Sequence, residues 1–399
     1  MKVEIVVGAN YGDEGKGLLT DFLCRKSSNA AVVLSNGGCQ RGHTVNSEIY
    51  GRHVFHHFGS GAFQQAPTYF AHEFLLNPMH WNKERLDLAL ILGKDPVCYR
   101  NSKCRFQMPI DIYLNRLIEN TRGKCRHGSV GSGIYETILR YQCQKSSAHT
   151  FSKFLKYSFK DKVEYIKDIS RWYAELRIQD FYQVEHLVTP EETKAFVKKQ
   201  LDSDAYKMFI SDGMVEHYCA DCEEMGSLCQ EKPLSDAVQD CNTVVFEQGQ
   251  GLMLDPAIRS KSEVDDTTPS HPGTSKLELD ILELSHAEKI DMISVNYVSR
   301  TYLTKHGAGK FVEDPTISFE DKTNIPNEFQ GTLRFGQLDY RQLFERINRD
   351  FGKFITHVGI SGYPIIRNLA FTHVNEIDIP EKYKSSAKYC FSTDISERL

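Results

Sequence analysis

Between residues 8 and 17 the chain reads Gly8-Ala9-Asn10-Tyr11-Gly12-Asp13-Glu14-Gly15-Lys16-Gly17, and this stretch constrains the fold more than any other. It sits between a short β-branched run, Val3 to Val7, and a segment with apolar residues at 18, 19, 22 and 23, the spacing of a helix. A glycine-rich turn from strand to helix lets backbone N–H groups converge on an anion. The helix N-terminus adds its dipole and Lys16 a point charge. The pattern is close to a P-loop but departs from it. Asn10 stands where that loop has Gly, Gly17 stands where a Ser or Thr would hold Mg²⁺, and a carboxylate, Asp13, lies inside the loop. A purely structural strand-to-helix turn is the competing reading.

A second apolar run, Ala30 to Leu34, stops at another glycine loop, Asn36-Gly37-Gly38-Cys39-Gln40-Arg41-Gly42-His43-Thr44. If the two strands are neighbours in a parallel sheet, their ends bring His43 toward Asp13, pairing a base with an acid whose surroundings push their pKa values apart. Taken alone, a histidine in a loop is as well explained by exposure or a structural role. Further runs at Thr243 to Phe246, Met292 to Val295, Phe354 to Val358 and Tyr389 to Phe391 also end in polar or glycine-bearing loops. Fully apolar strands of this kind predict an α/β fold: a mainly parallel central sheet, helices on both faces, ligands at the carboxyl edge.

Residues from about 145 to 240 differ, being charged, aromatic and poor in glycine. Thr189-Pro190-Glu191-Glu192 there carries a helix cap, a first-turn proline and a glutamate three residues after the cap, so the region reads as a helical insertion. Gly307 to Gly336 is loop-rich. With no repeat or flexible linker, residues 1–399 are expected to form one elaborated domain.

Composition narrows the function. The 399 residues carry a net charge of −5, without the basic excess of a non-specific nucleic-acid binder. No run approaches the ~18 apolar residues of a membrane helix, and Glu4 interrupts the short N-terminal run, which excludes a signal peptide. No nucleic-acid or membrane partner is expected. The 11 cysteines, an odd number without an export signal, predict reduced thiols and a cytoplasmic protein. His217, Cys219, Cys222, Cys229 and Cys241 leave a zinc site as an alternative, although one C-x-x-C without a second pair is a weak pattern.

Together the two loops resemble the adenylosuccinate synthetase family, whose signatures run W-G-D-E-G-K-G and G-G-x-N-A-G-H-T. Collinear partial matches follow. Gly128 to Ile134 resembles T-T-G-R-G-I-G, Phe246 to Asp255 resembles F-E-G-A-Q-G-x-L-L-D, and Asp266-Thr267-Thr268 resembles N-T-T. Lys305 to Gly309 resembles R-V-G-A-G, and Gly331 to Asp339 resembles the arginine-rich loop ending G-W-L-D.

The resemblance implies a ligase that phosphorylates the 6-oxygen of a purine nucleoside monophosphate with a nucleoside triphosphate and then displaces that phosphate with the amine of L-aspartate. Asp13 and His43 would be catalytic. Asn10, Gly12, Gly15, Lys16, Gly17, Gly42 and Thr44 would hold the donor phosphates, and Asp13 with the Gly42 carbonyl would bind Mg²⁺. Asp13, Gln40, Ser129, Val130, Gln250 and Thr268 would contact the purine nucleotide. Arg140 is the candidate for an arginine reaching across a homodimer, and Thr332 and Arg334 would grip aspartate.

Cellular members read the guanine of GTP with an aspartate after a late strand. If that strand is Phe354 to Val358, the position holds Gly359, so ATP or dATP is expected over GTP, with Asp394 as a substitute carboxylate. This donor preference, Gln40 in place of asparagine, the contracted arginine loop and Tyr11 in place of tryptophan resemble the phage-type aminoadenylosuccinate synthetases, which convert dGMP on the route to 2-aminoadenine DNA. Asp13 argues the other way, since well-known members of that branch carry serine there. dGMP ranks just ahead of IMP. A simple nucleoside triphosphatase and a catalytically inactive nucleotide-binding regulator are the readings from other classes.

Overall fold

The computed structural model describes residues 1–258, 273–307, 309–324, 326, 331–358 and 362–392. The apolar run near the N-terminus forms β1 (Lys2–Gly8), which feeds through the first glycine loop into α1 (Lys16–Arg25) and β2 (Ala30–Leu34). An antiparallel hairpin follows, β3 (His43–Ser47) with β4 (Gly51–Phe55). Short strands β5 (Thr68–Phe70), β6 (Leu75–Leu76), β7 (Cys98–Arg100) and β8 (Arg105–Phe106) alternate with α2 (Pro78–Leu92) and lead to α3 (Pro109–Arg122).

Helices then dominate: α4 (Ile134–Gln142), α5 (Gln144–Ser147), α6 (Phe151–Leu155), α7 (Phe159–His186), α8 (Pro190–Leu201), α9 (Asp204–Phe209) and α10 (Asp212–Leu228). Thr189 caps α8 as its sequence predicts, with Glu192 closing the capping box. After β9 (Gln230–Glu231) and α11 (Leu234–Val238) the chain returns to the sheet through β10 (Thr243–Gly251), α12 (Glu278–Ala287) and β11 (Met292–Arg300). The rest comprises β12 (Leu303–Lys305), β13 (Arg334–Gly336), α13 (Tyr340–Val358), β14 (Ile365–Thr372), α14 (Glu381–Lys384) and β15 (Tyr389–Cys390).

Of the described residues, nine strands form one sheet in the order β15-β14-β11-β1-β10-β2-β5-β7-β9, and every neighbouring pair is parallel. Successive side chains of a strand point to opposite faces, and both faces are covered. Val6, Val32 and Val245 pack with α1, α2, α3, α7 and α10, whereas Val3, Ile5, Val7 and Val295 pack with α11, α12 and α13. The expected α/β architecture with a parallel sheet covered on both sides is what forms.

Two expectations fail. Phe354 to Val358 is the last turn and a half of α13, not a strand. Leu343, Ile347, Phe354 and Val358 are the buried residues of one helical stripe, and the short apolar run is the piece of it visible in sequence. The late strand at that edge is β14, so the premise that put Gly359 at a strand end is gone; Gly359 and Asp394 themselves lie outside the described residues. Moreover, β1 and β2 are not neighbours, because β10 runs between them and pairs with both.

No helix among the described residues is long and apolar enough to cross a membrane. None of the eleven cysteines forms a disulfide. Cys219, Cys222 and Cys229 are buried while the His217 side chain is 75% exposed, and no group of three or more potential metal ligands occurs among the described residues. The zinc alternative therefore finds no ligand set.

Candidate active site

The loops following β1, β2, β10, β11 and β14 converge at the carboxyl edge of the sheet. Gly17 lets α1 start hard against the second loop, since a Cβ there would lie 2.9 Å from the Thr44 carbonyl. In the first loop Glu14 Oε1 accepts from the N–H groups of Asn10 and Gly12 at 2.9 and 2.8 Å. The buried Lys16 ammonium donates to the Gly12 carbonyl at 2.6 Å and to Glu14 Oε2 at 3.1 Å.

Two chambers open from this edge and share a wall. The first, about 280 Å³, is lined by Gly15, Lys16, Gly17, Thr44, Arg52, Arg300, Phe319, Lys322, His373 and Glu376, among others. The second, about 510 Å³, is lined by Gln40, Arg41, His56, Glu119, Arg122, Ser129, Val130, Gln250, Lys305 and His306, among others. Gly12, Asp13, Gly42, His43, Thr323 and Asn324 line both.

His43 reaches the shared wall by a route different from the one its sequence suggests. The interposed strand β10 delivers Glu247, whose Oε1 accepts from His43 Nδ1 at 2.8 Å while Oε2 accepts from Arg41 Nη2 at 2.8 Å. Ser60 closes the network, donating its N–H to Oε2 and its hydroxyl to Oε1. Burial pushes the Glu247 carboxyl up, but His43 and Arg41 outweigh it and hold the group well below the usual carboxylate range. Glu247 is thus an acceptor only. It fixes the proton on Nδ1 of the neutral imidazole and leaves Nε2, buried and without a hydrogen-bond partner, as the working nitrogen.

Burial takes the His43 pKa down to about 4, with Glu247 opposing and Arg41 reinforcing. Burial also raises Asp13, against the pull of His306 and Arg300. The two values move toward each other, the reverse of the divergence expected, because desolvation favours the neutral form of both an acid and a base.

Several groups here carry no signal in the local sequence. Arg300 donates to the Asp13 carbonyl at 2.5 Å and to Asp321 at 2.7 Å. Asp321 in turn accepts from the amide of Asn324, whose Oδ1 lies 2.8 Å from His306 Nε2. That same nitrogen lies 4.0 Å from Asp13 Oδ2. Thr323 ties the loop to β3 through Thr44 at 2.7 Å. These partners arrive from segments some 300 residues away in sequence, which no local pattern reveals.

Of the residues expected at the site, Gly12, Asp13, Gly15, Lys16, Gly17, Gln40, Gly42, His43, Thr44, Ser129, Val130 and Gln250 line one or both chambers. Asn10 does not. Its side chain donates to Ser299 and accepts from Arg346 inside the protein. Arg140 is fully buried in a bidentate pair with Asp111, Nε to Oδ1 and Nη2 to Oδ2 both 2.9 Å, so it cannot reach across to another chain. Thr332 is exposed, and Arg334 braces the adjacent turn by donating to the Gly307 and Gly309 carbonyls; neither lines a chamber. Thr268 lies outside the described residues. A carboxylate from Asp13 and a main-chain carbonyl from Gly42 on the wall common to both chambers are the hard oxygen donors that suit magnesium.

Comparison with known proteins agrees with this geometry. Residues 5–333 match the family model described as adenylosuccinate synthetase. The adenylosuccinate synthetase of Lactobacillus acidophilus is 26% identical over 324 residues, covering 78% of this chain and 65% of that protein. That of Acaryochloris marina is 26% identical over 320 residues, covering 77% of this chain and 61% of the relative. The chain thus aligns with less than two thirds of the length of these curated relatives. Among solved structures, the fully ligated adenylosuccinate synthetase of Plasmodium falciparum superposes with a TM-score of 0.60 at 15% identity, covering 94% of this chain and 77% of that one. The succinoaminodeoxyadenylate synthetase of cyanophage S-2L, bound to dGMP and to dATP as an energy donor, superposes with a TM-score of 0.59 at 13% identity, covering 99% and 93%. With the family model spanning most of the sequence, the chain belongs to the adenylosuccinate synthetase family.

Proposed function

We propose that this chain is an aspartate-adding ligase of purine nucleoside monophosphates. The observation that carries the reading is the common wall: two ligand-sized chambers meet at Asp13 and His43, one flanked by the lysine-bearing glycine loop, the other by the amides of Gln40 and Gln250. A triphosphate in the first and a purine in the second would present γ-phosphorus and 6-oxygen to the same two side chains.

Asp13, its pKa raised by burial, takes the N1 proton as the O6–P bond forms and the bond to the leaving diphosphate breaks. His43, steadied by Glu247, faces the oxygen side through Nε2 and follows the charge that develops there. The aspartate amine then attacks C6, phosphate departs with its bonding pair, and the amine gives up a proton. Lys16 and the N–H groups of Gly15 and Gly17 hold the donor phosphates. When bound at Asp13 and Gly42, magnesium would neutralise charge on the transferring phosphoryl group.

We place the chain in the phage-type branch, with dGMP ahead of IMP as substrate and ATP or dATP as donor. The likeness to a solved enzyme holding dGMP and dATP supports this; Asp13, which argues for IMP, is compatible with it because a carboxylate can accept from both guanine N1–H and the 2-amino group. A GTP donor is the second reading, because the first chamber includes a carboxylate, Glu376, of the kind guanine requires. From the family resemblance alone, the proposed assembly is a homodimer.

One matrix of assays tests all of this: purified protein, L-aspartate and Mg²⁺ with each of IMP, GMP and dGMP, crossed with ATP, dATP and GTP. The expected result is aspartate-dependent phosphate release and a succinylated purine product, fastest with dGMP and an adenine donor. Turnover with IMP alone would move the chain to the cellular branch, and equal use of GTP would overturn the donor assignment. Binding without turnover would leave the inactive regulator.

A further inference from the structure

One charged side chain of the second chamber has no task in the mechanism above. Arg41 is 2% exposed and lines this chamber between Gln40 and His43. Its Nη2 is spent on Glu247, and its plane lies near Phe74, with Cζ 5.9 Å from the ring centroid. Nε and Nη1 are buried and have no hydrogen-bond partner. Folded proteins leave few buried donors unpaired, and those that remain ask for a ligand or another explanation. Gln40 Oε1, Gln250 Oε1 and His43 Nε2 lack partners in the same chamber, so the unpaired guanidinium belongs to a patch of unsatisfied polar groups that a polar ligand would complete.

Two positions that meet here, 41 and 249, depart from the family signatures. The family signatures carry alanine where Arg41 stands and again where Gly249 stands. A Cβ built on Gly249 would lie 3.3 Å from the Asn36 carbonyl oxygen and at van der Waals contact, 3.4 and 3.5 Å, with Cγ and Cδ of Arg41, so the arginine stem packs directly against this glycine. The loop that resembles the arginine-rich aspartate loop contributes Arg334, whose Nη2 donates to the carbonyls of Gly307 and Gly309.

We propose that Arg41 is a further substrate-contacting residue of this reaction, an unpaired N–H of its guanidinium donating to an anionic oxygen of the reactants inside the second chamber. The proposal rests on the ligase reading, which brings two such oxygens there: the purine 6-oxygen as it takes the phosphoryl group, and a carboxylate of aspartate. A single charge-assisted N–H donor suits either, and such a bond is shorter and stronger than one between neutral groups.

The variant that isolates this role is R41A/G249A, which restores both alanines together and leaves Glu247 its bonds from His43 and Ser60. It should fold with a lowered thermal midpoint, because the buried Glu247 loses its cation, so kinetics and purine binding by titration calorimetry, the latter close to wild type, are read well below that midpoint. Loss of an oxyanion donor costs ~10²–10³-fold. A fall of that size in kcat with KM for aspartate unchanged identifies the 6-oxygen as the partner, and a comparable rise in KM for aspartate with kcat unchanged identifies the carboxylate. Arg41→Lys, which keeps the charge but not the planar guanidinium that serves Glu247 and the substrate at once, provides the second variant and should fall between, roughly 10-fold below wild type. A folded R41A/G249A with wild-type kcat and KM for every substrate overturns the assignment of Arg41 while the ligase reading stands. A wild-type protein with no aspartate-dependent turnover removes that reading and this proposal with it.

Discussion

An imidazole held on one nitrogen can act only through the other, and for His43 the choice is made by Glu247. Because Glu247 is kept ionised and reaches Nδ1 at 2.8 Å, the ring is oriented before any substrate arrives. Asp13→Asn and His43→Ala should therefore each lower kcat by ~10²–10⁴-fold, the usual worth of a positioned acid or base. Their thermal unfolding should stay near wild type, and a folded variant losing less than tenfold would contradict its role. At this scale the sequence is legible where chemistry is local. Asp13, Lys16 and His43 stand in glycine loops whose composition betrays close backbone approach. Glu247, Ser60 and Arg41 are opaque, because their meeting depends on β10 entering between β1 and β2, a topological fact with no trace in either glycine loop.

Helices α3 and α4 are joined by a pair that looks functional in sequence and is structural in the fold. Asp111 accepts two bonds from Arg140, a third from the Thr137 hydroxyl at 3.0 Å and a fourth from the Met108 N–H at 2.9 Å, all buried. The Gly128–Gly133 turn passes beside it, with an imagined Cβ on Gly133 only 2.7 Å from the Asp111 backbone. Asp111→Ala would strand a buried guanidinium and should cost ~3–5 kcal/mol in urea unfolding; a cost below about 1 kcal/mol would show that the pair does not hold the two helices. A lone arginine placed soon after a glycine turn carries no mark of whether it faces a partner chain or an acid 29 residues earlier on another helix. The misreading of Phe354 to Val358 has a related cause: five residues sample too little of a period to separate strand from helix, and the deciding members, Leu343 and Ile347, lie further back.

At the scale of the whole molecule, the sheet, α13 and the chain entering α12 are tied at one buried acid. Asp350 on α13 accepts from the Thr274 N–H and hydroxyl at 3.0 and 3.1 Å and from the Tyr297 hydroxyl on β11 at 2.7 Å. Burial, with Asp255 close by, outweighs these bonds and raises its pKa to about 6. The folded state thus holds this proton more tightly than the unfolded state does. The associated stability is fully present below the ordinary carboxyl value of 3.8 and is lost as pH rises through about 6. Wild type should consequently weaken between pH 4 and pH 7 by up to ~3 kcal/mol from this group, at ~1.36 kcal/mol for each pKa unit. Asparagine keeps the oxygen that Thr274 needs and offers an N–H to Tyr297 without the charge. Asp350→Asn should therefore be the more stable protein at pH 8 and nearly level with wild type at pH 4, as read from urea midpoints at the two pH values. A variant weaker than wild type at pH 8 would mean that the ionised carboxylate repays its desolvation, and that the junction of sheet and helix is held by charge.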